Sequence, residues 1–234
     1  MSLNPDIPVA ITPEPADEAP AQVAASLYRH HLFAARHMSD LACEVEKEHA
    51  GTADPDIIRR HRTYVIGAVL AAAAFLEASI NELYLEVQDH MANGNTGGRR
   101  RVLAVPAHFW SDAARPPILH KYQLALVVAD AEPFDEGRSP FRDADGLIAL
   151  RDALVHGRPE WRDQHGRRQN LARRLRAKFR HSAMASEADP EFPDQLLGAG
   201  CAAWAVRVAE RFSNDFCHRM AIPSRGVAAR DGAP

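Results

Sequence analysis

Between Ile66 and Val87 the chain places Ile66, Val69, Ala73, Leu76, Ile80, Leu83 and Val87 three or four residues apart. That spacing draws one continuous stripe along an α-helix and would scatter over both faces of a strand. Asp54-Pro55, just upstream, supplies an N-cap residue followed by proline at the first helical position. The pattern therefore predicts a helix from about Pro55 to about Met91, the longest in the chain. Ala71 to Ala74 leave room for a neighbouring helix to approach closely.

The same period recurs elsewhere. Val23, Leu27, Phe33, Met38, Leu41 and Val45 predict a helix over Gln22–Ala50, stopped by Gly51. Pro116-Pro117 precedes a helix from Ile118 to about Asp130, and a Gly/Pro-containing connector at 132–141 leads to a fourth from about Asp143 to His156. Leu147, Leu150, Leu154 and Val155 form the apolar face of that fourth helix. Gln164 to Met184 is basic and expected to be partly helical. A last helix, about Asp194 to Met220, buries Leu197, Cys201, Trp204, Val208, Phe212 and Phe216. No convincing strand alternation and no repeat is present. The expectation is an all-α bundle of about five helices over 22–220. Residues 1–21, with five prolines and no base up to Pro20, read as a disordered leader, and 221–234 as a flexible tail.

Composition narrows the function classes. Hydrophobic residues make up 46% and charged residues 25%, ordinary globular values. Val65 to Leu76 is the longest candidate apolar run, well short of the roughly 20 residues that span a bilayer, and no secretory signal opens the chain. Cys43, Cys201 and Cys217 show neither pairing nor metal spacing, so a cytoplasmic protein without membrane association is expected. The net charge of −3 conceals a basic segment, Arg151 to His181, with ten Arg/Lys and three Asp/Glu. Such a segment on an otherwise acidic chain points to a local anionic partner. Its run from Arg167 to His181 suits either a phosphate backbone or a solvated helix face, and Arg99–Arg101 offers a weaker cluster. No histidine spacing supports a metal site, and no motif implies a cofactor.

The chemistry-bearing stretch is Leu150-Arg151-Asp152-Ala153-Leu154-Val155-His156-Gly157-Arg158-Pro159. Gly157 is a natural C-cap there, and Pro159 opposes continuation of the helix. The arginine, its acidic neighbour and the histidine of this stretch are the parts needed to hold a phosphodiester and move a proton: a base, an acid and a cation for charge on phosphorus. His156 fits the first two roles, its type titrating near neutral pH. Arg151 fits the third, with a fork that matches phosphate oxygens. Asp152 is placed to orient one of these groups, and Arg158 to contact a neighbouring phosphate. Positions five apart on a helix point about 140° away from each other, so Arg151 and His156 of one chain do not converge. Two copies related by a two-fold axis would supply a complete set. Glu77 and Asn81, spaced i and i+4 beside the stripe of the long helix, are candidates to face the same cleft. The same residues also admit a structural reading: surface ion pairs for Arg151 and Asp152, and a favourable helix-dipole position for His156.

Ala74-Phe75-Leu76-Glu77-Ala78-Ser79-Ile80-Asn81-Glu82-Leu83 resembles the long second helix of HEPN-domain proteins. Leu147 to Gly157 is similar to that family's defining Arg-x4-6-His motif, here with four intervening residues. The order of elements also fits, with Lys121-Tyr122 on a short helix between the two. The resemblance covers roughly residues 22–220. It implies an up-and-down helical bundle, a homodimer whose motifs meet across the two-fold axis, and metal-independent endoribonuclease activity on RNA. A toxin or defence effector restrained by an antitoxin or regulatory protein is a role this would suit. Other members are catalytically silent and bind a nucleotide or a partner protein, which is the alternative for this chain. Asp152 departs from the asparagine that often follows the arginine in active members.

Overall fold

The stripe that opened the sequence becomes the axis of the fold. The computed structural model describes residues 26–92, 116–156 and 167–225, the side chains of 88–92 and 167–168 excepted. Helix α2 runs Pro55–Ala92. It starts where expected because the Asp54 carboxylate accepts the backbone N–H groups of Asp56 and Ile57, at 2.9 and 3.4 Å. Val65, Ala68, Val69, Ala72, Phe75, Leu76 and Ile80 along it are fully buried.

Helix α1, Leu27–His49, lies antiparallel beside it. At one end Ser26 Oγ and the Tyr28 N–H both donate to the Glu82 carboxylate, each at 3.0 Å. At the other, Glu46 meets His61. Helix α3 is Ile118–Val128, α4 is Phe141–Val155 and α5 is Arg167–Leu175. A short helical turn at Glu191–Gln195 precedes α6, Ala199–Met220. Among the described residues there is no strand, so the chain is all-α; six helices stand where about five were expected, the sixth falling in the basic segment.

Helices α1, α2 and α6 form the central layer. The α6 N-terminus sits by Glu46 and its C-terminal end returns to Ser79 and Glu86 through Arg225, so α6 runs parallel to α2. Helix α3 closes the aromatic core: Tyr122 stands edge-on to Phe212 and Phe216, with ring centroids 4.9 and 4.7 Å apart. Its hydroxyl donates to the Leu76 carbonyl at 2.8 Å. Such offset aromatic contacts add about 1 kcal/mol each beyond area burial. The six residues that the sequence assigned to the buried face of α6 are all buried.

The α6 N-terminus carries no local side-chain cap, and neither does that of α1. Each is served instead by a carboxylate from another helix, Glu82 for α1 and Glu46 for α6, whose Oε2 takes the Ala199 N–H at 2.7 Å. A carboxylate there also complements the helix dipole. The approach is close: a Cβ on Gly200 would fall 2.3 Å from the Arg180 carbonyl oxygen. Helix α6 begins after Gly198, whose backbone is extended (φ −113°, ψ 177°), and not at Asp194.

Two expectations need correction. Val155 is 53% exposed and does not belong to the buried face of α4, because that helix ends there. By length and composition Pro55–Val87 is long and apolar enough to cross a bilayer, although half of its most apolar window is buried within the fold. Polar residues interrupt every apolar run in α2, so reading runs alone missed the total.

Candidate functional site

Helix α2 presents Glu77 and Asn81, one turn apart, where α3 and α4 pack against its C-terminal half. From α4, the Arg151 guanidinium donates through Nη2 to Glu77 Oε2 at 3.1 Å and through Nη1 to Asp152 Oδ1 at 2.8 Å. Arg151 is 24% exposed in its side chain. Its fork has five N–H donors, so donors remain for a ligand beyond these two bonds. From α3, Lys121 Nζ donates to Asn81 Oδ1 at 2.7 Å. The sequence-predicted Arg151, Asp152 and Glu77 are thus joined, and Asn81, one turn along α2 from Glu77, is held separately by Lys121.

His156 is placed next to this group in the chain but not joined to it. It is the C-cap of α4, with φ −103° and ψ 10°, and its backbone N–H donates to the Asp152 carbonyl at 2.8 Å. Its ring is exposed and, among the described residues, has no hydrogen-bond or ion-pair partner. Gly157, Arg158 and Pro159 lie outside the described residues, as do Arg99–Arg101. Within one chain, therefore, the arginine is held and the histidine is not engaged with it.

Three members of the basic run beyond α4 are paired inside the fold. Arg174 donates to Asp145 at 2.6 Å and to the Arg142 carbonyl at 3.0 Å. Arg176 pairs with Glu191 at 3.2 Å and Lys178 with Asp143 at 2.8 Å. Burial pushes the Asp143 carboxyl up, but Lys178 and Ser139 outweigh it and hold the group below its usual range. These contacts fasten α5 and the following loop to α4.

Two features escaped sequence reasoning. One is the part played by Lys121, which the sequence placed on a short helix but not at a site. The other is His61, one histidine among twelve, whose Nε2 lies 2.9 Å from Glu46 Oε2 at a poor hydrogen-bonding angle. Burial raises the Glu46 carboxyl; His61 and the N–H groups of Ala199 and Ala183 more than reverse this and lower it. Cys201 and Cys217 are buried core residues with their thiols pushed up by desolvation.

Among the described residues, no three His, Cys, Asp or Glu side chains gather to hold a metal ion. A surface groove of about 460 Å³, lined in part by Pro55, Ile58, Arg62 and Ile66, opens at the start of α2. Ile66 to Glu77 is eleven residues, or about 16 Å along a helix axis, so the groove is separate from the Arg151 cluster.

No family model, curated protein or solved structure matches the chain.

Proposed function

We propose that this protein is a metal-independent endoribonuclease of HEPN-like architecture, an up-and-down helical bundle that acts as a cytoplasmic homodimer on RNA. A toxin or defence effector held in check by an antitoxin or regulatory partner is the role we assign it. The observation that carries this reading is the arginine of an Arg-x4-His motif held at the meeting of α2, α3 and α4. Glu77 and Asp152 fix it there, with N–H donors to spare.

In this reading His156 removes the 2′-OH proton, or returns one to the departing 5′-oxygen, while the 2′-oxygen attacks phosphorus. The products are a 2′,3′-cyclic phosphate and a 5′-hydroxyl. Arg151 balances the charge on the phosphoryl oxygens and Asp152 orients Arg151. Arg158 contacts a neighbouring phosphate. Because His156 points into solvent in one chain, a second copy completes the cleft. Apolar exposure supports that. Leu85 is 58%, Leu124 38% and Val155 53% exposed; each lies within one turn of Asn81, Lys121 or Arg151. Exposed apolar side chains beside polar ones suit an association surface if the three adjoin in the assembled pair.

The test is cleavage of labelled RNA with and without EDTA, by the wild type, Arg151→Ala and His156→Ala. The reading expects EDTA-resistant cleavage leaving cyclic phosphate ends, reduced at least about 100-fold in both variants. Equal residual cleavage by all three proteins would assign it to a contaminant and end the proposal. A strictly monomeric protein in sedimentation would remove the composite cleft. The second reading is a silent HEPN-like module that binds a nucleotide or partner protein. It is favoured by the carboxylate pair, Glu77 and Asp152, beside Arg151, and predicts binding without turnover.

A further inference from the structure

Lys121 is out of place in its helix. It lies on the buried side of α3 with Ile118, Leu119, Tyr122, Ala125 and Leu126, and is only 5% exposed. Taking an ammonium out of water is unfavourable unless its protons are taken up. An apolar pair of similar volume would usually serve stability as well or better. Stability is therefore a poor explanation for a lysine at this position.

What Lys121 does is fix a direction. An ammonium has donors only, so the atom of Asn81 facing it at 2.7 Å is the carbonyl oxygen, and the amide orientation follows from chemistry. The Asn81 Nδ2 is turned away from Lys121, and among the described residues no acceptor takes its two hydrogens. Asn81 is one turn from Glu77, about 6 Å between Cβ atoms, and Glu77 holds Arg151. A fixed N–H2 group thus stands one turn from a fixed guanidinium on the same helix edge.

We infer that Lys121 is a positioning residue that turns the Asn81 amide so that its Nδ2 donates to the phosphodiester strand whose phosphate Arg151 binds. The inference rests on the RNA reading above and gives Asn81 a defined role in it, as a donor to a phosphoryl or ribose oxygen. Lys121 acts through Asn81 and need not touch the strand.

Binding separates this from a structural role. A single-stranded oligonucleotide with 2′-O-methyl riboses, which lacks the attacking hydroxyl, is titrated by fluorescence anisotropy against the intact chain and its variants. Asn81→Asp keeps an acceptor for Lys121 but removes the outward donor. It is expected to melt no lower than the wild type and to bind about tenfold weaker, as for loss of a hydrogen bond to a charged group. Lys121→Met and Asn81→Ala are each expected to weaken binding by about the same factor, and the double variant no more than Asn81→Ala alone. If Asn81→Asp and Lys121→Met bind like the wild type while Arg151→Ala loses binding, the inference fails and the ribonuclease reading stands. Additive losses in the double variant overturn the positioning role. A wild type that does not bind the strand overturns both.

Discussion

Two polar groups on α2, at His61 and at Glu77–Asn81, each built around a glutamate, serve opposite ends. Around His61, the Glu46 carboxylate accepts the N–H groups of Ala183 at 3.1 Å and Ala199 at 2.7 Å and faces His61 at 2.9 Å. Its side chain is 12% exposed, and both of its oxygens are engaged. Around Glu77, by contrast, the carboxylate is 40% exposed, Arg151 keeps spare donors and Asn81 has an unused amide end. A buried carboxylate with both oxygens engaged resists change and holds elements together. A half-exposed group with valences left over is ready for something else. The first is a clasp, joining α1, α2, the 183 loop and the start of α6. The second is the half-exposed candidate site, proposed to form a cleft with a second copy.

The comparison breaks most readily at the clasp. Glu46→Ala strands two backbone donors and a buried imidazole, a loss of about 3 kcal/mol or more. For a chain of this size that lowers Tm by on the order of 10 °C in calorimetry. Arg151→Ala, which removes partly exposed ion pairs, should change stability by about 1 kcal/mol or less while, on the proposed function, cutting cleavage at least about 100-fold. Reversal of that order, with Arg151 the more destabilising, would mean the cleft is structural. Acid provides a finer test. The Glu46 carboxyl is lowered from its ordinary 4.5 in the folded chain. Its stabilising contribution is thus complete above about pH 4.5 and is lost as pH falls through the lower, folded value. Glu46→Gln should melt lower at neutral pH and show a flatter decline below pH 4.5; parallel curves for the two proteins would exclude Glu46 as the source. The smallest effect lies near the other end. Ala221 caps α6 in the left-handed region, φ 52° and ψ 44°, where glycine is favoured. Ala221→Gly should add about 0.5 kcal/mol by denaturant titration with RNA binding unchanged.

How much of this could be read from the chain follows from distance along it. The start of α2 was legible because Asp54 and Pro55 act within one turn. The buried face of α6 was legible because its residues repeat every three or four positions. Helix α6 itself was started too early, since its cap is Glu46, 153 residues away, and no local pattern reports such a partner. Val155 was assigned to the core by periodicity, which cannot see where neighbouring helices stop. At the candidate site, Arg151, Asp152, Glu77 and Asn81 were identified by spacing and resemblance; the structure joins the first three and sets Asn81 one turn away. Lys121 was noted as a mark of its short helix but not as a site residue, because that role depends on Asn81 across a helix interface. His156 was named, but what its ring meets is decided beyond one chain's described residues.

The unbroken length of α2 also determines how the molecule opens. Between His61 and Glu77 the helix contains no proline, and its one glycine, Gly67, packs against Met38; no hinge is available over a span of about 24 Å. Clasp and cleft are therefore two ends of one rod, flanked over most of its length by α1 and α6. Solvent deuterium would reach the amides of Val69 to Leu76 last, through global unfolding alone, while the frayed ends exchanged early. An event at the cleft that loosened this stretch would be read at the clasp, and the slowest-exchanging protons in the protein would record it.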